Sequence, residues 1–402
     1  MMGSIYDRWG VRPVVNAAGP VTRLGGAPMA AEVTESMREA AGYSVDMAEL
    51  QAAAGALIAE VTGAEAGYVT SGAAAGLLLA TAACVTGLDP GRMNRLPDTT
   101  GMKDEVIIPK SHRNFYDRAI RSVGVRLVEI GIPDRWSGAG VRDAEAWEIA
   151  GAITERTAAI AYVATPDARP RLSEVAAVAK RGGVPLIVDA AAQLPPAANL
   201  RRFVAEGADL VCFSGGKAIG GPQGTGILCG RRELVSAAAL QHLDMDVLFE
   251  LWEPPAALVD KRRLPGAPQH GLGRPCKVGK EQIAGLLTAL RIFVAEGDEA
   301  RTARWEGTVA ALVAAMGTLR YAVVTAAVSP GKPVPVARLA LDESAAGLTA
   351  LELARRLAGG TPAIHVNPAQ ATQGILLFNP ICLRDGDVET IARRVRELLA
   401  GG

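Results

Sequence analysis

The 402-residue chain is short of several features that would have fixed its chemistry at once. Its five cysteines, at 84, 212, 229, 276 and 382, form no CxxC pair and show no metal-ligand spacing. That argues against zinc and against a disulfide framework, and fits a reducing, cytoplasmic compartment. There are only four histidines, and neither metal ligation nor a Ser-His-Asp triad gains support from their spacing, so no metal is expected. Acids and bases balance at 42 each and no long run of one sign exists. Composition therefore offers no basic face for nucleic acid or an anionic membrane, and a small-molecule partner is expected. The first residues, Met1-Met-Gly-Ser-Ile-Tyr, lack the apolar core of a signal peptide.

What the chain does have is apolar residues, 49% of the total, enough for more than one core over this length. Residues 66–88 carry no charge and are long enough to cross a bilayer if helical throughout. Gly67, Thr70, Ser71, Gly72 and Gly76 interrupt them, so the stretch reads instead as a strand at 66–70, a Ser-Gly turn and a buried helix at 73–85. Further strands are expected at 105–109, 125–130, 159–163, 185–189, 210–213 and 226–229, most of them separated by helical patterns. Strands apolar on both faces that alternate with helices predict an α/β fold: a mainly parallel seven-stranded sheet with helices on both faces. Residues 1–45 read as a polar, glycine-rich arm followed by a helix, and 46–245 as the large domain. Residues 246–295 read as a proline-rich crossover and a linking helix, and 296–402 as a small C-terminal α+β domain.

The most informative stretch is Phe213-Ser-Gly-Gly-Lys-Ala-Ile-Gly-Gly-Pro-Gln-Gly-Thr-Gly226. It presents one of only eight lysines, Lys217, just past a buried strand and among glycines that leave room for a flat ligand. A phosphate-loop motif would need glycine at 211 and Ser or Thr at 218, where the chain has Val211 and Ala218, and GxGxxG does not fit either. Lys217 is thus the candidate Schiff-base lysine. Asp189 closes the apolar strand before it; a carboxylate there needs a cation, for which a pyridinium nitrogen is suited, although a helix N-cap is the plainer alternative. Gln193 is placed to bond a ring hydroxyl or to make an ordinary turn contact. Ser71, Gly72 and Ala73 open a helix directly after a strand, where backbone N–H groups can hold a phosphate, as they can also form a routine cap. His112 follows another strand and can stack on a flat ring. Strand ends of this kind converge on one crevice in open α/β sheets. A substrate carboxylate calls for a cation, with Arg384 the first candidate and Arg23 and Arg113 next.

These runs, together with Asn16-Ala-Ala-Gly19, Thr62-Gly-Ala-Glu65, Ser71-Gly-Ala-Ala-Ala-Gly76, Ser111-His-Arg113 and Gly273-Arg-Pro-Cys-Lys-Val-Gly-Lys-Glu281, resemble a known family. It is that of the fold type I pyridoxal-phosphate enzymes of the selenocysteine synthase-like group, closest to the D-glucosaminate-6-phosphate ammonia-lyase branch. The likeness is dense over residues 1–290. It implies pyridoxal 5'-phosphate bound at Lys217, Asp189 on the pyridinium nitrogen, His112 against the ring, and Ser71, Gly72, Ala73 and Ser214 around the phosphate. It also implies a homodimer or larger assembly with interface active sites, in which Arg274 and Lys280 reach a neighbour's cofactor or an anionic substrate. The activity it implies is α,β-elimination with ammonia release from a hydroxy amino acid or amino-sugar acid. An aldolase, racemase or aminotransferase would use the same residues, and an inactive scaffold is the non-enzymatic alternative.

Overall fold

The computed structural model describes residues 4–132 and 143–400. Along the chain the strands are β1 (Val14–Ala17), β2 (Ala66–Thr70), β3 (Glu105–Pro109), β4 (Arg126–Ile130), β5 (Thr157–Val163) and β6 (Leu186–Asp189). They continue as β7 (Leu210–Ser214), β8 (Gly226–Gly230), β9 (Ala322–Val328), β10 (Pro335–Leu341), β11 (Ala363–Val366) and β12 (Ile375–Phe378). By internal contacts the chain divides into two compact units, Met29–Val294 and a second that joins Met1–Pro28 to Ala295–Gly402.

The first unit is built on a seven-stranded sheet of order β2-β8-β7-β6-β5-β3-β4. Five neighbours from β4 to β7 run parallel, while β8 is antiparallel to both β7 and β2. Six strands therefore point one way, which brings six carboxyl ends to one edge. Apart from the edge strand β4, with exposed Arg126 and Glu129, the strands are mainly apolar on both faces because helices cover both, and two separate buried clusters, one per face, run through the unit. The uncharged stretch splits as its glycines demand, into β2 and the buried helix Ala73–Thr86, and among the described residues no helix is long and apolar enough to cross a membrane.

Small residues set how closely helix and sheet approach. On the helix Met47–Thr62, a Cβ at Gly55 would lie 2.3 Å from the carbonyl oxygen of Gly67, and one at Gly67 would lie 2.3 Å from Ile58 Cγ2. The proline-rich segment expected to cross between domains stays within this unit: Trp252, Leu258, Val259 and Leu264 are buried in the same core as the helix Ala73–Thr86.

In the second unit, β12, β10 and β9 form an antiparallel sheet, and β1 pairs in parallel with β11. The N-terminal segment read as an arm thus supplies a strand, with Val15 and Ala17 buried beside Leu353, Ile364 and Ile391. Both strands are four residues long, too short for alternation to register in the sequence. Gly297, with φ 72° and ψ 167°, interrupts the helical run Lys280–Met316.

The Gly55–Gly67 approach yields a paired test. Gly55→Ala gains about 1 kcal/mol of helix propensity but overpacks a helix–strand contact, which costs about 1–3 kcal/mol. Gly307→Ala, at an exposed helical glycine with nothing within 4 Å of its Cβ position, keeps the gain alone. Urea denaturation is expected to show the first variant less stable than the parent and the second more stable.

Candidate active site

Lys217 lies in the connection between β7 and β8. The connection is folded tightly: Gly215 N–H donates to the Thr225 carbonyl at 2.9 Å, Gly221 N–H to the Gly215 carbonyl at 2.9 Å, and Gly220 N–H to the Lys217 carbonyl at 3.0 Å. A Cβ at Gly215 would lie 2.2 Å from Thr225 Oγ1, and one at Gly216 would lie 2.5 Å from the Gln223 Cα. Gly215 and Gly216 are needed so that the loop can close on itself, a reason the sequence did not show. The lysine is half-buried, and burial lowers its pKa, with the charge of Asp189 pulling the other way.

Asp189 ends β6, beside β7, where it is in register with Cys212. Its Oδ1 accepts the Ala191 N–H at 3.0 Å. Part of the residue remains accessible, yet burial raises its pKa, against the lowering effects of that hydrogen bond and of Lys217. On its other side Asp189 is in register with Val163 of β5, whose N–H donates to His112 Nδ1 at 3.2 Å. His112 is buried, and Tyr162 packs edge-on against its ring at 4.7 Å between centroids. A narrow cavity lined by His112, Asn114, Tyr162, Val163, Ile187 and Asp189 lies along these strand ends.

Ser71 and Gly72 follow β2. Gly72 caps the helix Ala73–Thr86 with φ 96°, a left-handed value that favours glycine, and nothing lies within 4 Å of its Cβ position. The first N–H groups of a helix lack partners within it, so this end offers donors to an anion. Opposite, a Cβ at Gly226 would lie 2.4 Å from the Gly72 carbonyl carbon, so glycine is required for β8 to pass this turn. Ser71 Oγ donates to the Cys276 carbonyl at 2.9 Å. Ser214 is the last residue of β7 and is in register with Gly226. Gln193, four residues past the end of β6, accepts at its carbonyl from Asn199 Nδ2 at 2.6 Å.

The expected cationic residues are mostly engaged elsewhere. Arg113 is ion-paired to both Asp117 and Glu129, Arg274 to Asp244, and Lys280 to Glu281. Arg384 and Arg23 belong to the other compact unit. Arg384 is exposed, its Nε 3.9 Å from Asp387, and Arg23 is exposed on the turn Thr22–Leu24. Sequence reasoning passed over Tyr68 and His242, which are buried and joined at 2.8 Å between Oη and Nδ1; a histidine with no neighbouring motif gave no signal.

The donor set fits pyridoxal phosphate: an enclosed carboxylate with a raised pKa that a ring N–H would satisfy, an amine with a lowered pKa, and an open, glycine-capped helix end. A solved serine palmitoyltransferase from S. paucimobilis carrying this cofactor has the same fold, with TM-score 0.55 at 12% identity over 96% of this chain and 88% of that one. The molecule has the fold of the type I pyridoxal-phosphate enzymes, with a mostly parallel sheet and a small antiparallel C-terminal sheet.

The sequence profile of SelA, L-seryl-tRNA selenium transferase, matches residues 14–246, and the chain belongs to that family. It is 35% identical to a Streptomyces 5'-C-glycyluridine monooxygenase-decarboxylase over 98% of this chain and 92% of the relative. With the D-glucosaminate-6-phosphate ammonia lyase of Salmonella typhimurium it shares 32% identity, over 99% of this chain and 98% of the lyase. A solved structure of D-glucosaminate-6-phosphate ammonia-lyase superposes with TM-score 0.81 at 30% identity, covering 100% of this chain and 99% of that one. The chain is accordingly a pyridoxal-phosphate-dependent enzyme of the lyase type.

The raised Asp189 pKa has a measurable sign. A group whose folded pKa lies above its unfolded value adds stability below the unfolded pKa and loses it as pH rises through the folded one. Asp189→Asn keeps an acceptor for the Ala191 N–H and removes the enclosed charge. Without cofactor, the variant is expected to melt above the parent at neutral pH, with the gap closing as pH falls through the raised pKa. Its affinity for pyridoxal phosphate should fall about ten- to a hundredfold, the effect of losing one charge-assisted hydrogen bond.

Proposed function

We infer that this enzyme removes the elements of ammonia from a β-hydroxy amino acid or an amino-sugar acid, giving a 2-oxo acid. The observation that carries this reading is the pairing of Lys217 with Asp189 at the ends of β7 and β6, each altering the other's proton affinity. In the net reaction the Cα proton and the β-hydroxyl leave, water replaces the nitrogen, and ammonia is released.

The residues divide the work as follows. Ser71, Gly72, Ala73 and Ser214 would hold the phosphate of the cofactor, His112 would flank its ring, Gln193 would reach the ring hydroxyl, and Asp189 would hold the ring nitrogen. When bound, pyridoxal phosphate supplies an electron sink that makes the Cα–H bond of an attached amino acid acidic. Burial favours a neutral Lys217 Nζ, which is what a base needs to accept that proton. Asp189, kept ionised by a cationic partner, stabilises positive charge where it is wanted. The tight β7–β8 connection limits where Nζ can go, so the Cα proton would be withdrawn from one direction.

For the substrate carboxylate Arg384 is the better candidate. Its guanidinium is exposed and only loosely paired, whereas Arg113 would have to leave two carboxylates. Arg23, Arg274 and Lys280 remain candidates for anionic groups on the substrate. We also infer a homodimer or larger homo-oligomer, as the family resemblance implies.

A second reading comes from the Streptomyces relative, whose name describes a monooxygenase-decarboxylase. There the bond broken would be the one from Cα to the carboxylate, with dioxygen as oxidant. Under anaerobic conditions, ammonia and 2-oxo acid formed from a hydroxy amino acid or phosphorylated amino-sugar acid support elimination; carbon dioxide formed only with dioxygen supports the second reading. Lys217→Ala is expected to lose turnover by about 10²–10⁴-fold or more, the usual share of a general base. The variant should also take up no borohydride-stable cofactor label by mass spectrometry. A label retained in the variant would remove Lys217 from its role.

A further inference from the structure

His242 ends the helix Arg232–His242 and is buried. Its Nε2 lies 2.6 Å from the Cys276 carbonyl oxygen and its Nδ1 2.8 Å from the Tyr68 hydroxyl. A carbonyl only accepts, so Nε2 carries a proton; in the neutral ring Nδ1 is then the acceptor and the Tyr68 O–H donates to it. Burial lowers the His242 pKa, opposed by the bond to Cys276 and helped by the Arg274 charge, which favours that neutral ring. The Tyr68 ring stands edge-on to the imidazole, with centroids 5.5 Å apart, and fixes its plane.

The Cys276 carbonyl also accepts the Ser71 hydroxyl at 2.9 Å, so its two lone pairs meet two donors. With its hydrogen committed there, Ser71 can show an incoming phosphate only lone pairs, which repel it. To donate to the phosphate, Ser71 must turn away from Cys276, and a part-buried carbonyl left without a donor is unfavourable. The carbonyl has little freedom to seek another. Its segment is pinned to the end of the helix, with Leu272 N–H donating to Gln241 Oε1 at 3.1 Å and Gly273 N–H to the Gln241 carbonyl at 3.0 Å.

We propose that His242 is a positioning residue for the cofactor phosphate: by keeping the Cys276 carbonyl satisfied, it frees the Ser71 hydroxyl to turn and donate to that phosphate. The inference rests on the reading of Ser71 as a phosphate contact.

The test uses the full chain stripped of cofactor and titrated, by absorbance or fluorescence, with pyridoxal phosphate and with pyridoxal, which lacks the phosphate. His242→Leu is expected to weaken the phosphorylated ligand about tenfold, as for one unsatisfied acceptor, and to leave pyridoxal unchanged. His242→Gln, whose amide can still donate to Cys276, should recover most of the loss. In a Ser71→Ala background the His242→Leu effect should vanish, because the residue acts through that hydroxyl. An equal loss for both ligands, or an undiminished loss in the Ser71→Ala background, overturns the proposal. Should His242→Leu fail to fold, Tyr68→Phe removes the donor that fixes the ring while keeping its size. It is then expected to give a smaller loss confined to the phosphorylated ligand, and its absence overturns the proposal too. If Ser71→Ala alone leaves pyridoxal phosphate affinity unchanged, the reading of Ser71 falls and this inference with it; if Ser71→Ala weakens binding and the His242 variants do not, only this inference falls.

Discussion

The structure turns on two opposite charges held at neighbouring strand ends, with burial working against both. Asp189 is driven toward its protonated form and Lys217 toward its neutral form by the same cause, loss of water, and each resists that drift in the other. A pair so poised has little to gain from staying as it is, and much to gain from a ligand that brings a cationic ring nitrogen to one and a carbonyl to the other. The rest of the large unit can be understood as the means of holding this pair. Parallel β5, β6 and β7 place Val163, Asp189 and Cys212 side by side, and antiparallel β8 returns the chain so that the lysine loop closes within a few residues of β7.

Much of that arrangement was legible in the sequence because the signals were strong and local. The strands at 66–70 and 105–109 were expected at the limits observed for β2 and β3, and the other five strands of the large sheet differ from expectation by one or two residues at an end. Uninterrupted apolar segments bounded by glycine or a charged residue leave few other readings. Lys217 was singled out by elimination among eight lysines, and Asp189 by the cost of a carboxylate on a buried strand. The glycines around Lys217 were correctly weighted, but one reason for them was missed. A glycine run signals a close approach without saying what approaches, and here it is the loop's own Thr225 and Gln223.

What was not legible depends on partners far away in the chain. The pairing of β1 with β11 joins residues about 350 positions apart, and neither four-residue segment announces a strand. The commitments of Arg113 to Asp117 and Glu129, and of Arg274 to Asp244, were hidden for a similar reason: a sequence shows which cations exist but not which are already spoken for. Division into units follows the same logic, since residues before 29 fall with those after 294.

The relatives sharpen what this division of legibility means for function. Relatives matched over more than nine-tenths of this chain carry names that describe, in one case, an ammonia lyase and, in the other, a monooxygenase-decarboxylase. The residues proposed to hold and polarise the cofactor lie at strand ends, where sequence patterns are strong. The choice of which bond to Cα breaks depends instead on how the substrate's carboxylate and side chain are oriented relative to the cofactor ring. A cation can serve a substrate carboxylate only if it is not already paired, and pairs such as Arg113 with Glu129 or Arg274 with Asp244 form between residues far apart in the chain, which is why the cofactor could be read from the sequence while the substrate could not.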